Sequence, residues 1–442
     1  MEFKKITVGN FAENLDRFRI PLSSAEREKK RGKYPYYGAA KIIDYVDGFT
    51  HSGLSVLIAE DGSVETDKGY PVVQLANGEY WVNNHTHVLK GKNDWDTLYL
   101  YYALQIIKVS PFVTGAVQKK ISQKALNSME LNYFEDPMIR RKIVESLLEL
   151  DKKIELNTQI NQTLEQIAQT IFKSWFIDFD PVHAKANALA SGQTLEQATQ
   201  AAMAVISGKN TQELHRLQTA NPEQYQQLWE IAETFPSGFD EEGVPRGWEM
   251  TVVKSVCEKI QNGGTPKRSN KEYWNNGNIP WLSSGEVCNN NILVSSKEFI
   301  TQLGLENSST KLIEANSTLV ALYASPTAGK CSFCAFKATT NQAVCALVPK
   351  EIYKYFNFYY LQTKEEYYSN QAVGSAQQNI SKGIVENTPI FKPDNMILSY
   401  FNLIVGGLMN KQISNLKEND HLKSIRDELL PKLLSGEILN GN

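Results

Sequence analysis

Between Pro137 and Phe179 the chain reads PMIRRKIVESLLELDKKIELNTQINQTLEQIAQTIFKSWFIDF, and this stretch limits the possible folds more than any other. Steps of four and three pick out Ile139, Ile143, Leu147, Leu150, Ile154, Asn157, Asn161, Leu164, Ala168, Ile171 and Trp175. That is a heptad seam, apolar except for two asparagines at its middle. Pro137 suits a first helical position, where its missing N–H would be unpaired anyway. No Gly or Pro follows within the stretch. At 1.5 Å per residue the helix would reach roughly 60 Å, far beyond an ordinary globular helix. A seam of that length has to face a partner.

The partner lies in the same chain. A second helical run, Asn395–Glu437, carries Ile397, Phe401, Ile404, Leu408, Leu422, Ile425, Leu429 and Leu433, and its Pro431 predicts a kink or a late break. Gly115–Ser122 and Gly374–Ser381 share the pattern G-x-x-Q-x-x-I-S at an offset of 259. At an offset of 258, Leu150, Leu164, Ile167 and Ile171 fall on Leu408, Leu422, Ile425 and Leu429, while Asn157 and Asn161 fall on Asn415 and Asn419. A shared octapeptide that also carries the seam and its polar breaks marks an internal repeat. Asn157, Asn161, Asn415 and Asn419 then either fix the register of an antiparallel coiled coil or sit solvated beside a displaced seam.

Each long helix follows a mixed segment. Strand-like runs occur at Ser55–Ala59, Pro71–Leu75 and Thr86–Leu89, with turn signals at Asp61-Gly62 and Asn77-Gly78 and a helical run at Thr97–Val109. They recur at Ser317–Leu322 and Ala343–Val348 before a helical run at Glu351–Tyr368. Between the halves lies an Ala/Gln-rich helical insert or linker, in which Asn221-Pro222 starts a helix.

At 442 residues there is room for several cores. No apolar run is long enough to span a membrane. Cys257, Cys288, Cys331, Cys334 and Cys345 are odd in number and confined to the second half, which favours a reducing cytoplasm over a disulfide scaffold. Net charge is −3, but from His183 to Pro245 eight acids face three bases, a local −5 that leaves the remainder near +2.

The residues now support a resemblance along nearly the whole chain. Arg19–Ser24 with Tyr34–Ala39, Ile171–Pro181, Val244–Glu249, Gly263–Pro266, Tyr273-Trp274 with Gly277–Trp281, and Leu429–Ile438 occur in the order and spacing seen in DNA-specificity subunits of type I restriction–modification enzymes, a family this chain resembles. The resemblance implies an α+β fold: two mixed α/β target-recognition domains separated by a long antiparallel two-helix coiled coil, with an internal pseudo-two-fold repeat. The expected divisions are 1–136, a first target-recognition domain; 137–180, a central long helix; 181–243, a helical insert or linker; 244–393, a second target-recognition domain; and 394–442, a C-terminal long helix.

The resemblance further implies a non-catalytic subunit of a bacterial or archaeal cytoplasmic complex. Each domain would read half of an asymmetric bipartite site in double-stranded DNA. The helices would set the gap and dock two methyltransferase (modification) subunits, and two restriction (motor-nuclease) subunits would join. S-adenosylmethionine, ATP and Mg²⁺ would belong to those partners, with no cofactor and no metal on this chain. The rival readings are a coiled-coil scaffold that binds no DNA and a fused DNA methyltransferase. The second lacks its motifs, since Asn278-Ile-Pro280-Trp281 departs from Asn-Pro-Pro-aromatic and no glycine-rich F-x-G-x-G cofactor loop is present; no P-loop for ATP occurs either.

DNA contacts are expected from several places. In the repeated motif Gln118, Lys119 and Lys120, and Gln377, Gln378 and Asn379, suit bases or phosphates. Gln118 and Gln377 occur in both copies, so they serve structure or phosphate as readily as sequence. Arg27, Lys29, Lys30, Arg31 and Lys33 suit phosphates or form a solvated helix face. Thr265, Lys267 and Arg268 occupy an early loop of the second half, and Ser325, Thr327 and Lys330 follow its Ser317–Leu322 strand. The matching loop of the first half, Glu60–Ser63, carries Glu60 and Asp61, which repel phosphate but can accept from cytosine. Cys331-x-x-Cys334 lacks further zinc ligands at useful spacing and reads as buried thiols. His85 and His87 read as outward polar residues of one strand. Lys173 and Trp175 are expected on an outward docking face of the first long helix.

Overall fold

The computed structural model describes residues 3–115, 118–323, 327–371 and 379–438. Two compact units emerge, Met1–Leu156 with Asn419–Asn442, and Asn157–Glu418. They do not follow linear divisions, because each long helix gives one half to each unit.

In the first unit, Glu13–Asn14, Thr86–Lys90, Ser55–Ala59 and Val73–Ala76 form one sheet in that order. Ile42–Val46, Arg31–Tyr37, Glu79–Val82 and His51–Ser52 form another, in which Arg31–Tyr37 runs parallel to Glu79–Val82. Ser55–Ala59 is buried on both faces. Alternation sends Val56 and Ile58 toward the helix Asp94–Leu104 and its neighbours, and Leu57 toward Tyr80, Val82 and Val88. That is why the strand reads as an unbroken apolar run.

The second unit repeats this plan. Cys257–Asn262, Val344–Pro349, Ser317–Ala321, Cys331–Cys334 and Ile292–Leu293 form one sheet, and Glu298–Ile300, Ile279–Leu282 and Thr339–Thr340 the other. Again the central strand of the second sheet, Ile279–Leu282, has one antiparallel and one parallel neighbour. In each unit a two-stranded closure ends the domain where its long helix begins. Lys4–Thr7 pairs with Glu130–Tyr133, and Glu249–Val252 pairs with Pro389–Lys392.

The closing Ile-Ser of the motif G-x-x-Q-x-x-I-S has the same structural use in both copies. Ile121 and Ile380 are buried, with their N–H groups bonded to Glu60 O at 2.8 Å and Leu322 O at 2.9 Å. Ser122 caps the helix Gln123–Ser128, and Ser381 caps Lys382–Glu386. Gly115 has φ 90°, and a Cβ there would lie 2.1 Å from Gln118 O, so the position admits glycine alone.

Pro137–Phe176 and Asn395–Leu434 are helices of 40 residues each. The second runs through Pro431 and stops short of Glu437. Within the first unit the helices are antiparallel, as Arg426 Nη1 meets Asp151 at 2.8 Å and Asn419 Nδ2 meets Ile154 O at 3.4 Å. Within the second, Asn415 Nδ2 donates to Asn161 Oδ1 at 2.8 Å, Asn161 Nδ2 to Gln412 O at 3.2 Å and Asn157 Nδ2 to Glu418 at 2.9 Å. Asn157, Asn415 and Asn419 are buried and Asn161 is half-buried. Gln412 and Ile154 are related by the 258-residue offset, so the bonds made by Asn161 and Asn419 are the same bond in the two copies.

Trp175 is not on an outward face. It is 2% exposed and packs on Phe235 and Phe401, because the seam position it occupies faces inward. Lys173 is exposed and pairs with Asp178.

The insert folds as four helices, Asp180–Ala190, Leu195–Ser207, Thr211–Ala220 and Pro222–Thr234; the last three enclose Ala202, Met203, Leu214, Tyr225 and Leu228, and Lys185 of the first bonds the Ala232 and Phe235 carbonyls. Asn221 caps the last of them, with Pro222 at its first position. Among the described residues no helix is long and apolar enough to cross a membrane.

Removing the buried motif isoleucine leaves a cavity. Ile121→Ala is expected to lower the stability of the first unit by about 3 kcal/mol, and Ser122→Ala by about 1 kcal/mol. Urea unfolding followed by circular dichroism measures both.

Candidate nucleic-acid interface

In the first unit, two loops picked out by sequence lie side by side. Gly62 N–H bonds to Lys119 O at 3.0 Å, and Asp61 bridges to Lys120. The loop cations are engaged by carboxylates. Lys120 Nζ lies 3.0 Å from Glu60 Oε1, and Lys119 pairs with Glu65. Gln118 is exposed.

Behind them stands a polar cluster that sequence reasoning missed. His87 is fully buried, with Nδ1 2.6 Å from Asp16 Oδ2 and Nε2 2.8 Å from Ile121 O. Arg19 Nη1 lies 2.6 Å from Glu60 Oε2, and Arg19 also approaches Asp16. His85 precedes the strand Thr86–Lys90, stays half-exposed and meets Asp61 at 2.8 Å. The two histidines therefore do not share an outward face, since only His87 lies in the strand. Asp16, Glu60 and His87 bring three potential ligand atoms within 4.8 Å. Arg19 and Lys120 occupy the same carboxylates, which makes the cluster an ion-paired brace rather than a vacant cation cage. Burial pushes the Asp16 carboxyl up, but the hydrogen bond and charge of His87, the Val88 N–H and Arg19 outweigh it and hold it below its ordinary 3.8. Burial likewise opposes ionisation of Glu60, and Arg19, Lys120 and His87 overcome it.

The second sheets carry a device that recurs. Arg27 donates to Asp44 at 3.0 Å and to Leu22 O at 2.8 Å, and its guanidinium lies 5.3 Å from the Tyr36 ring. Arg268 forms a two-pronged pair with Glu298, with Nη2 to Oε2 at 2.9 Å, and lies 4.6 Å from the Trp281 ring and 3.8 Å from Trp274. Tyr36 is the cross-strand partner of Asp44, and Trp281 that of Glu298. The same clamp of arginine, edge-strand carboxylate and central-strand aromatic is built twice. Arg268 holds the Glu298 carboxyl below its ordinary range. So Arg27 and Arg268, expected at phosphates, are each ion-paired within their own domain, with Arg268 half-exposed.

The remaining candidates divide. Lys30 approaches Asp47 at 3.8 Å. Arg31 and Lys33 are exposed on Arg31–Tyr37, with Lys33 over the Tyr34 ring. Lys267 is exposed, and Thr265 Oγ1 donates to Gln342 at 2.6 Å. Thr327 Oγ1 donates to Tyr323 O, and Lys330 and Asn379 are half-buried. Ser325, Gln377 and Gln378 lie outside the described residues.

Cys331 and Cys334 fall on opposite faces of one strand and enter different cores, so they cannot converge on one ion. Burial pushes the Cys334 and Cys345 thiols to about 12.

Residues 1–166 and 245–397 match the family model described as the type I restriction modification DNA specificity domain. The HindI specificity subunit of Haemophilus influenzae is 39% identical over 332 residues, 72% of this chain and 71% of that one. The MjaIX specificity subunit of Methanocaldococcus jannaschii is 26% identical over 349 residues, covering 77% and 68% of the two chains. A solved type I restriction–modification S subunit from M. genitalium shares the fold at 15% identity, with a TM-score of 0.55 over 98% of this chain and 96% of that one. The matched segments leave out the four-helix insert.

The cluster around His87 predicts acid sensitivity with a definite sign. The folded carboxyls of Asp16 and Glu60 are depressed, so their stabilisation is complete above the ordinary values of 3.8 and 4.5. It is lost as pH falls through the lowered folded values, where the unfolded chain has already taken up protons. Asp16→Asn is expected to flatten this acid limb in a pH titration of urea stability.

Proposed function

Because the chain belongs to the type I restriction–modification DNA-specificity family and is a specificity subunit of such a system, we propose that each mixed domain reads one half of a bipartite duplex site. The paired long helices set the unread gap. Methyltransferase subunits, two per chain, dock on the helical regions, and two restriction subunits complete the assembly. S-adenosylmethionine, ATP and Mg²⁺ serve those partners. This chain contributes recognition rather than chemistry.

One observation carries the reading: a single frame, with the same core strand order, the same buried Ile-Ser helix start and the same arginine clamp, is built twice in one chain on different exposed residues. A shared frame with unlike surfaces suits two readers of unlike half-sites. In this reading the four seam asparagines fix helix register, since pairing an amide with another amide or a carbonyl is lost when the helices slip by a turn.

The test is the methylated motif of a host carrying the system. Inserting one heptad into each long helix lengthens the spacer by about 10 Å, close to three base-pair steps of about 3.4 Å. The expected motif keeps both half-sites and gains about three unread base pairs. A host in which no bipartite methylated motif depends on this chain would reject the proposal.

A further inference from the structure

The arginine clamps hold something in place. In the first unit the strand bearing Asp44 continues with Tyr45, whose cross-strand partner is Pro35. In the second the strand bearing Glu298 continues with Phe299, whose cross-strand partner is Pro280. Tyr45 is 51% exposed and Phe299 is 41% exposed. A single exposed aromatic is ordinary. An exposed aromatic at the same register in both copies, opposite a proline and next to a clamped carboxylate, is not explained by packing. Neither ring belongs to a buried core.

The surroundings say what faces these rings. Arg31 and Lys33 are exposed on the strand beside Tyr45, and Lys297 is exposed on the approach to Phe299, with Lys267 next to the clamp arginine. Among the described residues none of these four cations forms an ion pair, whereas Arg27 and Arg268 do. The clamp thus neutralises the carboxylate at each ribbon and leaves cations around an apolar ring. That combination suits a polyanion that also offers apolar edges, which is duplex DNA. The third strand pairs only at Tyr36-Tyr37 and at Trp281-Leu282, so where Pro35 pairs with Tyr45 and Pro280 with Phe299 each sheet is two-stranded. A two-stranded ribbon fits the major groove, where an aromatic ring can pack on a thymine methyl while lysine and arginine reach phosphates or guanine.

We propose that the ribbons Arg31–Tyr37 with Ile42–Val46, and Ile279–Leu282 with Glu298–Ile300, are the base-reading elements of the two domains. Tyr45 and Phe299 are their apolar contacts, and Arg27 and Arg268 are positioning residues that hold the ribbons in reading geometry. This rests on the proposed function and specifies where on each domain the reading takes place.

The test uses the full chain assembled with its modification subunit and duplexes carrying the methylated motif, intact or altered in one half. For Tyr45→Ala, affinity for the intact duplex is expected to fall about tenfold, with discrimination lost in one half-site only. Phe299→Ala should do the same for the other half-site, and Tyr45→Phe should retain binding. Assembly, read by size-exclusion chromatography, should be unchanged. If both alanine variants bind and discriminate like the parent, the ribbons are not the readers. Loss of assembly instead would make the ribbons a protein-docking face and also overturn the proposal. A parent complex that discriminates in neither half would reject the proposed function itself, and the ribbon assignment with it.

Discussion

The joint between each domain and its long helix is the constraint on which the rest depends. A helix can carry a spacing only if its start is rigidly tied to the surface it positions. In the first unit the tie is polar. Arg140, 7% exposed, donates from Nε to Asp96 at 2.9 Å, bonds the carbonyls of Phe134 and Glu135, and lies over the Tyr133 ring. Asp96 stands in the first turn of the helix Asp94–Leu104, so one guanidinium joins two helices and the closing strand. In the second unit the 258-residue offset puts Leu398 at this position. There Ile397, Leu398 and Phe401 join Phe356 and Phe172 in an aromatic core. The two joints solve one mechanical problem with different chemistry. Losing one partner of the buried ion pair would be the more damaging lesion, at about 3–5 kcal/mol.

The helices themselves are not uniformly apolar. Near Ile143, Val144 and Leu147, and again near Phe172, Trp175 and Phe176, a wide face is buried because a domain packs beside the seam. Between them the seam narrows to Leu150, Ile154, Asn157, Asn161 and Leu164, and amide contacts replace core packing. Narrowing lowers the apolar area that holds the helices together. It also removes the ambiguity of an all-leucine seam, which can slip by a heptad at little cost.

Some of this architecture was legible because it repeats at one offset. The octapeptide, the seam and the asparagines all lie after the last large loop difference, so a spacing of 258 or 259 finds them. The clamp was hidden by changing offsets. Tyr36 and Trp281 are 245 apart, Asp44 and Glu298 are 254 apart, and Arg27 and Arg268 are 241 apart. Short loop differences destroy the register that a sequence comparison needs, while the sheet preserves it. His87 was hidden for another reason. Two histidines at alternate positions look like an outward face, and only the tertiary arrangement of Asp16 and the Ile121 carbonyl shows one ring turned inward. Trp175 is a seam residue by the heptad count itself, and its burial follows that count rather than the outward docking face expected of it.

The charge pattern follows from the same structure. Several of the cations expected at phosphate are held by carboxylates: Arg27 by Asp44, Lys119 by Glu65, Lys120 by Glu60 and Arg268 by Glu298. Pairing them removes much of the sequence-independent attraction that counterion release would otherwise give. The net charge of −3 adds no general attraction to a polyanion either. For a specificity subunit that is an advantage, because discrimination is a difference between right and wrong sites and a strong backbone term adds equally to both. On the proposed reading, the clamped arginines would fix the geometry of the reading surface, and the unpaired cations around Tyr45 and Phe299 would orient it on the duplex.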